Sequence, residues 1–498
     1  MILRTRDETD SKTVVEGVVE GQHDRDHDQD PGHTEYRNNA EKVLELRIDT
    51  TASTETCHGK IQEIVETLCP FLLRGEKNCP FDIKPMTGGL SNRMLLVSKP
   101  FSAVCTDENG TNENTRVDTR VADADTNTVL VRIHTGGGEG NDDCDDEVFT
   151  VVDRESETKL AAWLASQRED LPHNSGSMAP TVYGRFENGR VEEFYRDVRP
   201  LASAEMKTHA PWIAQSLASF HSLKPPSSVI APRPVAKDGT GSSCTIYETI
   251  RAWLKEAKTI ELDEASTNFL NELCDEWDWL ANELANKPKE QSTEDNPIVA
   301  EALDFIRRVS ITHMDCQPLN ILIDDVGIEN CNANTNPTPD SLRLIDFEFT
   351  GWNPVAADIA NTFCEYCEMS NLCADYDKEY PSPTEQDTFF WHYLLQSDPL
   401  RAKQFSSYSR RHQRKTNINY DWSSDNEVDK EWLLFSATLK QEVGRFSLLS
   451  HLVWAIWSIL KSEEDVDFVD FDYMEYARHR MDGYAWAKKK FRVAAKSN

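Results

Sequence analysis

The sequence is poor in positive charge. Its 498 residues include 53 Lys and Arg against 86 Asp and Glu, which gives a formal net charge of −33 at pH 7. Proteins bind nucleic acids and anionic membrane surfaces mainly through Lys and Arg, so this composition argues against both as partners. The same excess of carboxylates would attract a cationic small molecule.

Long apolar runs are also missing. Residues 1–4 lead directly into a charged stretch, without the apolar core that a secretory signal needs. The longest apolar stretch, residues 448–460, contains Ser450 and His451 and is too short to cross a bilayer. We therefore expect a cytoplasmic protein without stable membrane insertion.

The 12 cysteines lack the spacing of a metal site. Cys364 and Cys367 form a Cys-x-x-Cys pair with Cys373 nearby, but no second Cys/His pair follows at ligand spacing. Cysteines scattered through apolar runs are typical of a reducing compartment. We interpret these three residues as buried thiols and not as a zinc or redox site.

Residues 1–56 are rich in Asp, Glu, Thr and His and contain few large apolar residues. Such a segment cannot bury enough apolar surface to fold alone. We predict an acidic, disordered N-terminal tail over this range.

The most informative stretch runs from His313 to Asp346. Asp315 is followed five residues later by Asn320, then by the apolar run 321–323, and a second apolar run ends at Asp346. Phosphoryl transfer from Mg-ATP needs a carboxylate that accepts the proton of the attacking hydroxyl and oxygen ligands for Mg²⁺. A polar turn between two buried strands is the alternative. We favour catalysis, because strands on both sides would fix the loop backbone.

A glycine-containing hairpin is predicted upstream of this stretch. Residues 81–86 and 94–97 have strand patterns, and Gly88 and Gly89 lie in the connection between them. Glycine lets backbone N–H groups approach phosphate oxygens closely. A Gly-Gly hairpin alone is more often only a turn, but its place before a catalytic loop favours nucleotide binding.

Two tryptophans near the C-terminus have helical spacing. Trp454 and Trp457 stand at i and i+3, hence on one helical face. Most such pairs belong to a hydrophobic core. A quaternary ammonium, however, has no hydrogen-bond donor, so its binding calls for aromatic faces and nearby carboxylates.

Together these motifs resemble the eukaryotic choline/ethanolamine kinases. Asp315-Cys316-Gln317 with Asn320-Ile321-Leu322 is similar to the catalytic loop of that family, and a second signature begins at Ile345-Asp346-Phe347-Glu348. The resemblance covers about residues 81–491. Met314 departs from it, since the family usually has Asn at this position.

The resemblance implies an α+β, protein-kinase-like fold with two lobes. An N-terminal lobe with an antiparallel sheet, residues 57–200, would bind ATP. A larger, mainly helical C-terminal lobe, residues 201–498, would carry the catalytic and choline-binding residues. Family members are commonly homodimers, and a homodimer is expected here.

The resemblance also implies roles at the reacting groups. Asp315 would orient and deprotonate the acceptor hydroxyl, and Gln317 would help to place it. Asn320 and Asp346 would hold Mg²⁺.

At the nucleotide, the resemblance makes Arg132 the counterpart of the kinase lysine that holds the α- and β-phosphates. Glu157 would pair with Arg132, and Glu155 is the alternative. Backbone groups near Phe194 and Tyr195 would contact adenine. The nucleotide loop would consist of Gly88, Gly89, Leu90, Ser91 and Asn92.

At the acceptor, the carboxylate of Glu365 would face the positive head group. Asp358 would brace the catalytic loop by accepting backbone hydrogen bonds, and His221 would be structural. The residues implied to line the choline pocket are Asp315, Gln317, Phe349, Glu365, Trp454, Trp457, Phe471 and Tyr476.

These roles predict an ATP- and Mg²⁺-dependent choline kinase, which makes phosphocholine in the first step of the CDP-choline route of phospholipid biosynthesis to phosphatidylcholine. An ethanolamine kinase or a dual kinase is the alternative. Gln317 and the two tryptophans favour choline, whereas the absence of a Trp just before Tyr247 and the presence of Ser370 favour a pocket that takes both amines. A catalytically inactive, kinase-shaped binding protein is a third alternative, and Met314 is its only support.

Overall fold

The structure is a computed structural model, and most of the chain from residue 43 onward is described. The described residues are 43–49, 52–73, 81–86, 92–99, 128–134, 153–167, 178–234, 243–285, 296–324, 342–367, 374–405, 427–462 and 471–494.

A six-stranded sheet forms the N-terminal lobe. Its strands lie in the order β1-β5-β6-β4-β3-β2, and all neighbours are antiparallel except β1 and β5. The strands are β1 (Val43–Leu44), β2 (Asp82–Met86), β3 (Asn92–Ser98), β4 (Thr128–His134), β5 (Val182–Phe186) and β6 (Gly189–Glu193).

One face of the sheet is covered by helix α1 (Thr54–Leu68). Apolar residues on one face of this helix, such as Ile61 and Ile64, are buried there in one cluster with Val129 and Val131 of β4. Side chains alternate between the faces of a strand, so Arg132 points to the opposite face. Ile48 is also buried in this cluster, although it lies in the range for which a tail is predicted.

Short strands hold the chain on both sides of the catalytic loop, residues 313–320. Strand β8 precedes the loop and pairs antiparallel with β11, which follows it in the chain. Strand β9 comes directly after the loop and lies between β7 and β10. The strands are β7 (Val198–Pro200), β8 (Val309–Thr312), β9 (Ile321–Asp324), β10 (Leu342–Leu344) and β11 (Gly351–Pro354).

The C-terminal lobe is mainly helical, as predicted. Helix α2 precedes it in the N-terminal lobe. The helices are α2 (Arg154–Ser166), α3 (Met206–Ser222), α4 (Thr245–Ala257), α5 (Glu264–Ala285), α6 (Pro297–Arg307), α7 (Val355–Cys364), α8 (Tyr376–Glu379), α9 (Pro383–Ser397), α10 (Pro399–Gln404), α11 (Glu427–Lys461) and α12 (Tyr473–Ala494).

Helix α11 is the centre of the large core. It packs against α4, α5, α6, α7 and α12. Its section Lys430–Lys461 is long and apolar enough to cross a membrane, but 94% of its most apolar window is buried inside the protein. The core therefore accounts for its apolar character.

Cys364 and Cys367 are buried at the end of α7 and just after it, as predicted for structural thiols. Burial raises the pKa of the Cys364 thiol to about 11. Cys373 lies outside the described residues.

A close approach of two backbones at Gly189 yields a prediction for stability. Gly189 pairs with Ile133 across the sheet, and a Cβ atom there would meet the carbonyl oxygen of Arg132 and the ring of Phe186 closer than 3.0 Å. Gly189→Ala should therefore lower the free energy of unfolding by about 2–3 kcal/mol, as overpacking does. Urea unfolding measures it.

The matched control is Gly59→Ala, because a Cβ atom at this helical position meets nothing within 4 Å. It should raise the free energy of unfolding by up to about 1 kcal/mol through helix propensity. Equal stability of Gly189→Ala and the parent would show that the two strands can separate at no cost.

Candidate active site

One cavity of about 580 Å³ is lined by residues of both lobes. It brings together most of the site residues that the sequence predicts. These are Asn92, Arg132, Phe194, Tyr195, Asp315, Gln317, Asn320, Asp346, Phe349, Glu365, Trp454, Trp457, Phe471 and Tyr476.

Among the described residues, Glu157 is the predicted site residue that does not line the cavity, and it is buried on α2. Gly88, Gly89, Leu90 and Ser91 of the predicted nucleotide loop lie outside the described residues.

The catalytic loop holds the carboxylate of Asp315 in place. Oδ2 of Asp315 accepts hydrogen bonds from Nδ2 of Asn320 at 2.7 Å and from Nε2 of Gln317 at 3.3 Å. The same amide nitrogen of Asn320 donates to the backbone carbonyl of Asp315 at 2.9 Å. Three residues that the sequence places in one short loop thus form a single hydrogen-bonded unit.

The backbone of this loop is fixed by Asp358 of α7. Its two carboxylate oxygens accept the N–H groups of His313 at 2.8 Å and Met314 at 2.7 Å. Met314 has φ = 66°, a left-handed conformation that is uncommon for such a side chain. His221 Nε2 lies 2.8 Å from Asp358, and its Nδ1 lies 2.7 Å from the hydroxyl of Tyr393. The bracing role of Asp358 and the structural role of His221 are confirmed.

His313 links the catalytic loop to the segment of Asp346, a role that the sequence did not reveal. Its Nε2 lies 3.0 Å from the carbonyl oxygen of Ile345, and its Nδ1 lies 3.3 Å from the backbone nitrogen of Asp315. Burial lowers the pKa of His313. A carbonyl only accepts, so Nε2 carries the proton and Nδ1 accepts from Asp315.

The carboxyl group of Asp315 lies in surroundings that disfavour its charge. Burial raises its pKa well above the ordinary value, and the nearby carboxylates of Glu365, Asp346 and Glu348 add to this effect. A cation bound in the cavity would therefore favour the ionised form that can accept a proton.

The other end of the cavity contains alternating charges. Arg132 lies opposite Arg190 on neighbouring strands, and both bind Glu192, at 3.2 Å and 2.6 Å respectively. A shared carboxylate offsets the repulsion expected between like charges directly across a sheet. Nη1 of Arg132 also lies 3.7 Å from Oδ2 of Asp346.

The ion pairs of Glu157 correct the predicted direct pairing with Arg132. Glu157 binds Arg190 at 2.8 Å and Arg154 at 3.2 Å, and Arg154 in turn donates to Glu348. The physical reason is that Arg190 reaches α2 from the neighbouring strand. We call Asp346, Arg132, Glu192, Arg190, Glu157, Arg154 and Glu348 the ion-pair chain.

The ion-pair chain shifts the pKa values of its carboxylates in both directions. Burial alone would raise the pKa of Glu157, but the guanidinium groups of Arg190, Arg132 and Arg154 lower it to about 2. Burial and the nearby Asp346 raise the pKa of Glu348 to about 7, although Arg154 opposes this shift.

The side-chain oxygen atoms of Asp346 and Asn320 fit Mg²⁺ better than they fit a metal ion that is coordinated only by protein side chains. Oδ1 of Asp346 is buried and has no hydrogen-bond partner within the described part of the chain, while the amide of Asn320 uses its nitrogen toward Asp315. No group of three or more His, Cys, Asp and Glu among the described residues could hold a metal. Mg²⁺ takes few protein ligands and binds phosphate oxygens for the rest.

The acceptor end of the cavity is aromatic. We call Phe349, Trp454, Trp457, Phe471 and Tyr476 the aromatic wall. The ring centroids of Trp454 and Trp457 are 5.6 Å apart, and those of Phe349 and Trp454 are 5.0 Å apart. Nε1 of Trp454 donates to Oδ1 of Asn361 at 2.8 Å, which fixes the orientation of the indole.

Glu365 lines the cavity beside the aromatic wall, but its carboxylate already forms an ion pair with the guanidinium group of Arg480. Its Oε1 accepts a hydrogen bond from Nη2 of Arg480 at 2.7 Å. Sequence reasoning missed Arg480. The available signal was its position four residues after Tyr476, which places both on one face of a helix.

Behind Asn92 of the cavity lining lies a further residue that the sequence did not reveal. Nδ1 of His134 lies 2.9 Å from Oδ1 of Asn92, at the end of the predicted nucleotide loop. Phe194 and Tyr195 line the cavity just after β6, and the guanidinium of Arg343 lies 4.4 Å from the ring centroid of Tyr195.

Comparisons with known proteins agree with this geometry. A family model described as choline/ethanolamine kinase matches residues 83–485. "Probable choline kinase 3" of Arabidopsis thaliana is 28% identical over 82% of this chain and 86% of its own length.

Two solved structures share the fold. A choline kinase from Cryptosporidium parvum gives a TM-score of 0.53 at 22% identity and covers 87% of this chain and 97% of its own. An ethanolamine kinase from Plasmodium vivax gives 0.53 at 19% identity, covering 89% and 90%. The predicted two-lobed kinase-like fold is thereby confirmed.

The buried His134 generates a prediction for the pH dependence of stability. Burial, followed by repulsion from Arg190 and Arg154, lowers its pKa to about 3 in the folded protein. Between about pH 6.5 and about pH 3 the unfolded chain therefore binds one more proton than the folded protein. The free energy of unfolding then decreases as the pH is lowered. His134→Gln should remove about 2 kcal/mol of the stability loss between pH 7 and pH 5. Urea unfolding at both pH values measures this difference.

His58→Gln is the control, because His58 is exposed on α1 and its surroundings change little on unfolding. It should leave the pH dependence as it is in the parent. An equal pH dependence in the His134 variant and the parent would mean that the folded protein protonates His134 after all.

Proposed function

The chain belongs to the choline/ethanolamine kinase family, and we propose on that premise that it transfers the γ-phosphoryl group of ATP to the hydroxyl of choline, which gives phosphocholine and ADP. One observation carries the proposal. The same cavity contains the carboxylate of Asp315, the aromatic wall and the cationic side chain of Arg132.

Asp315 acts as the general base. It accepts the proton of the choline hydroxyl while the hydroxyl oxygen forms a bond to the γ-phosphorus, and the bond from that phosphorus to the β-phosphate oxygen breaks. Asn320 and Gln317 keep the carboxylate oriented toward the acceptor. Proximity and orientation contribute much of the acceleration of such a reaction.

Arg132 stabilises the negative charge of the phosphates, and Glu192 holds its guanidinium in position. Asn320 and Asp346 would hold Mg²⁺, which when bound offsets the charge on the phosphate oxygens. The backbone near Phe194 and Tyr195 contacts adenine.

The aromatic wall supports choline as the acceptor. Rings attract a trimethylammonium group through their electron-rich faces, whereas an ammonium also needs hydrogen-bond acceptors. Ethanolamine is the second candidate because Glu365 lines the cavity and its carboxylate can accept N–H groups.

We further propose that the enzyme acts in the cytoplasm and catalyses the first step of the CDP-choline route to phosphatidylcholine. No disulfide joins two cysteines within the described ranges, which agrees with a reducing compartment. A homodimer stays a prediction from the resemblance.

The first test is steady-state ATP turnover with choline and with ethanolamine. We expect a higher kcat/KM for choline. Asp315→Asn should lower kcat by about 10²–10⁴ with either amine, since general base catalysis supplies that factor. The matched control is Asp275→Asn on the exposed surface of α5.

A reversed or equal preference would favour the ethanolamine or dual kinase. Absence of turnover with both amines would exclude kinase activity on them and favour a catalytically inactive, kinase-shaped binding protein. For the active enzyme, kcat/KM should decrease as the pH falls, because burial and the nearby carboxylates raise the pKa of Asp315 and the base becomes protonated.

A second test addresses the aromatic wall. Trp457→Leu should raise the KM for choline by about tenfold, as expected for the loss of a desolvated cation–π contact, and change the KM for ATP little. Trp352→Leu is the control, because Trp352 lies outside the cavity lining. An unchanged KM for choline would show that Trp457 is only a core residue.

A further inference from the structure

A buried guanidinium lies behind the acceptor end of the cavity. Arg480 of α12 is completely buried, and its one ion-pair partner in the described part of the chain is Glu365, at 2.7 Å. Its Nε and Nη1 atoms have no hydrogen-bond partner among the described residues. Apolar residues usually stabilise a core better than a buried ion pair, so stability alone does not account for an arginine here.

Arg480 contacts the same rings that face the cavity. Its guanidinium carbon lies 5.4 Å from the ring centroid of Tyr476 and 5.9 Å from that of Trp454. Both rings line the cavity, and Arg480 does not. The guanidinium and a cation in the cavity would therefore share two aromatic side chains.

Arg480 also determines which atoms of Glu365 remain available. Nη2 of Arg480 donates a hydrogen bond to Oε1 of Glu365, which leaves Oε2 of Glu365 for a ligand. The carboxylate of Glu365 is close enough to Asp315 to contribute to the raised pKa of Asp315. A fixed positive charge next to Glu365 offsets the repulsion between the two carboxylates.

We propose that Arg480 is a positioning residue that holds the carboxylate of Glu365 directed toward the cationic head group of the acceptor, and that it thereby favours a quaternary over a primary ammonium. The preference follows because a carboxylate with one oxygen occupied still attracts charge but offers fewer acceptors to N–H groups. The inference rests on the proposed kinase function.

Other titratable groups also face Arg480. Burial raises the pKa of Cys364 to about 11 and raises that of Tyr476. Burial lowers the pKa values of His451 and His479 below the ordinary histidine range. At pH 8 both histidines are therefore neutral and do not add to the charge of Arg480.

The test is the KM for choline and for ethanolamine at pH 8. In Arg480→Met, Glu365 loses the hydrogen bond that orients its carboxylate. We expect the KM for choline to rise at least fivefold. The KM for ATP should stay within twofold of the parent, and the preference for choline over ethanolamine should fall.

Two further variants separate this role from a purely structural one. Arg480→Lys keeps the charge and should restore most of the parental KM. The double variant Glu365→Gln, Arg480→Met has neither the carboxylate nor an unpaired buried charge. Its KM for choline should be at least as high as that of Arg480→Met.

The inference is overturned if Arg480→Met retains the parental KM and preference for choline, or if its KM for ATP rises as much as its KM for choline. If Arg480→Met fails to fold, the double variant decides instead. A parental KM for choline and a parental preference for choline over ethanolamine in that variant would also overturn the inference. Absence of choline turnover in the parent would instead refute the proposed function, so the two failures are distinguishable.

Discussion

The candidate active site depends on one buried carboxylate that never contacts the cavity. Asp358 accepts two consecutive backbone N–H groups, those of His313 and Met314, and so holds Met314 in a left-handed conformation. A residue in this region costs free energy unless its surroundings fix it. The turn directs Asp315 into the cavity, and the hydrogen bonds of Asn320 and Gln317 then follow from their places in the same loop.

Compensation of buried charge is the second constraint. The cavity brings carboxylates and guanidinium groups together, and burial penalises both. The ion-pair chain solves this by alternating the signs from Asp346 to Glu348 through three arginines. Arg154 and Glu348 also connect α2 of the N-terminal lobe with the segment that follows Asp346.

The sequence predicted what is local. The catalytic loop and the two tryptophans are defined by spacings of a few residues, and the structure brings them to one cavity as expected. The two-lobed fold was predicted from the resemblance of the same motifs.

What the sequence did not predict is non-local. Arg132 and Glu192 are 60 residues apart, and Glu365 and Arg480 are 115 residues apart. Charged residues are abundant in this chain, so no pattern in the sequence selects one partner for Arg132 among many acids. Only the register of β4 with β6 shows that Arg190 stands between Arg132 and Glu157.

The raised pKa of Asp315 has a consequence for the thermodynamics of binding. A cation that enters the cavity shifts Asp315 toward its ionised form and displaces bound protons from it. Binding of a cation is then coupled to proton release, and the heat of binding contains the ionisation heat of the buffer. The net charge of the cavity therefore changes by less than the charge of the cation that it binds.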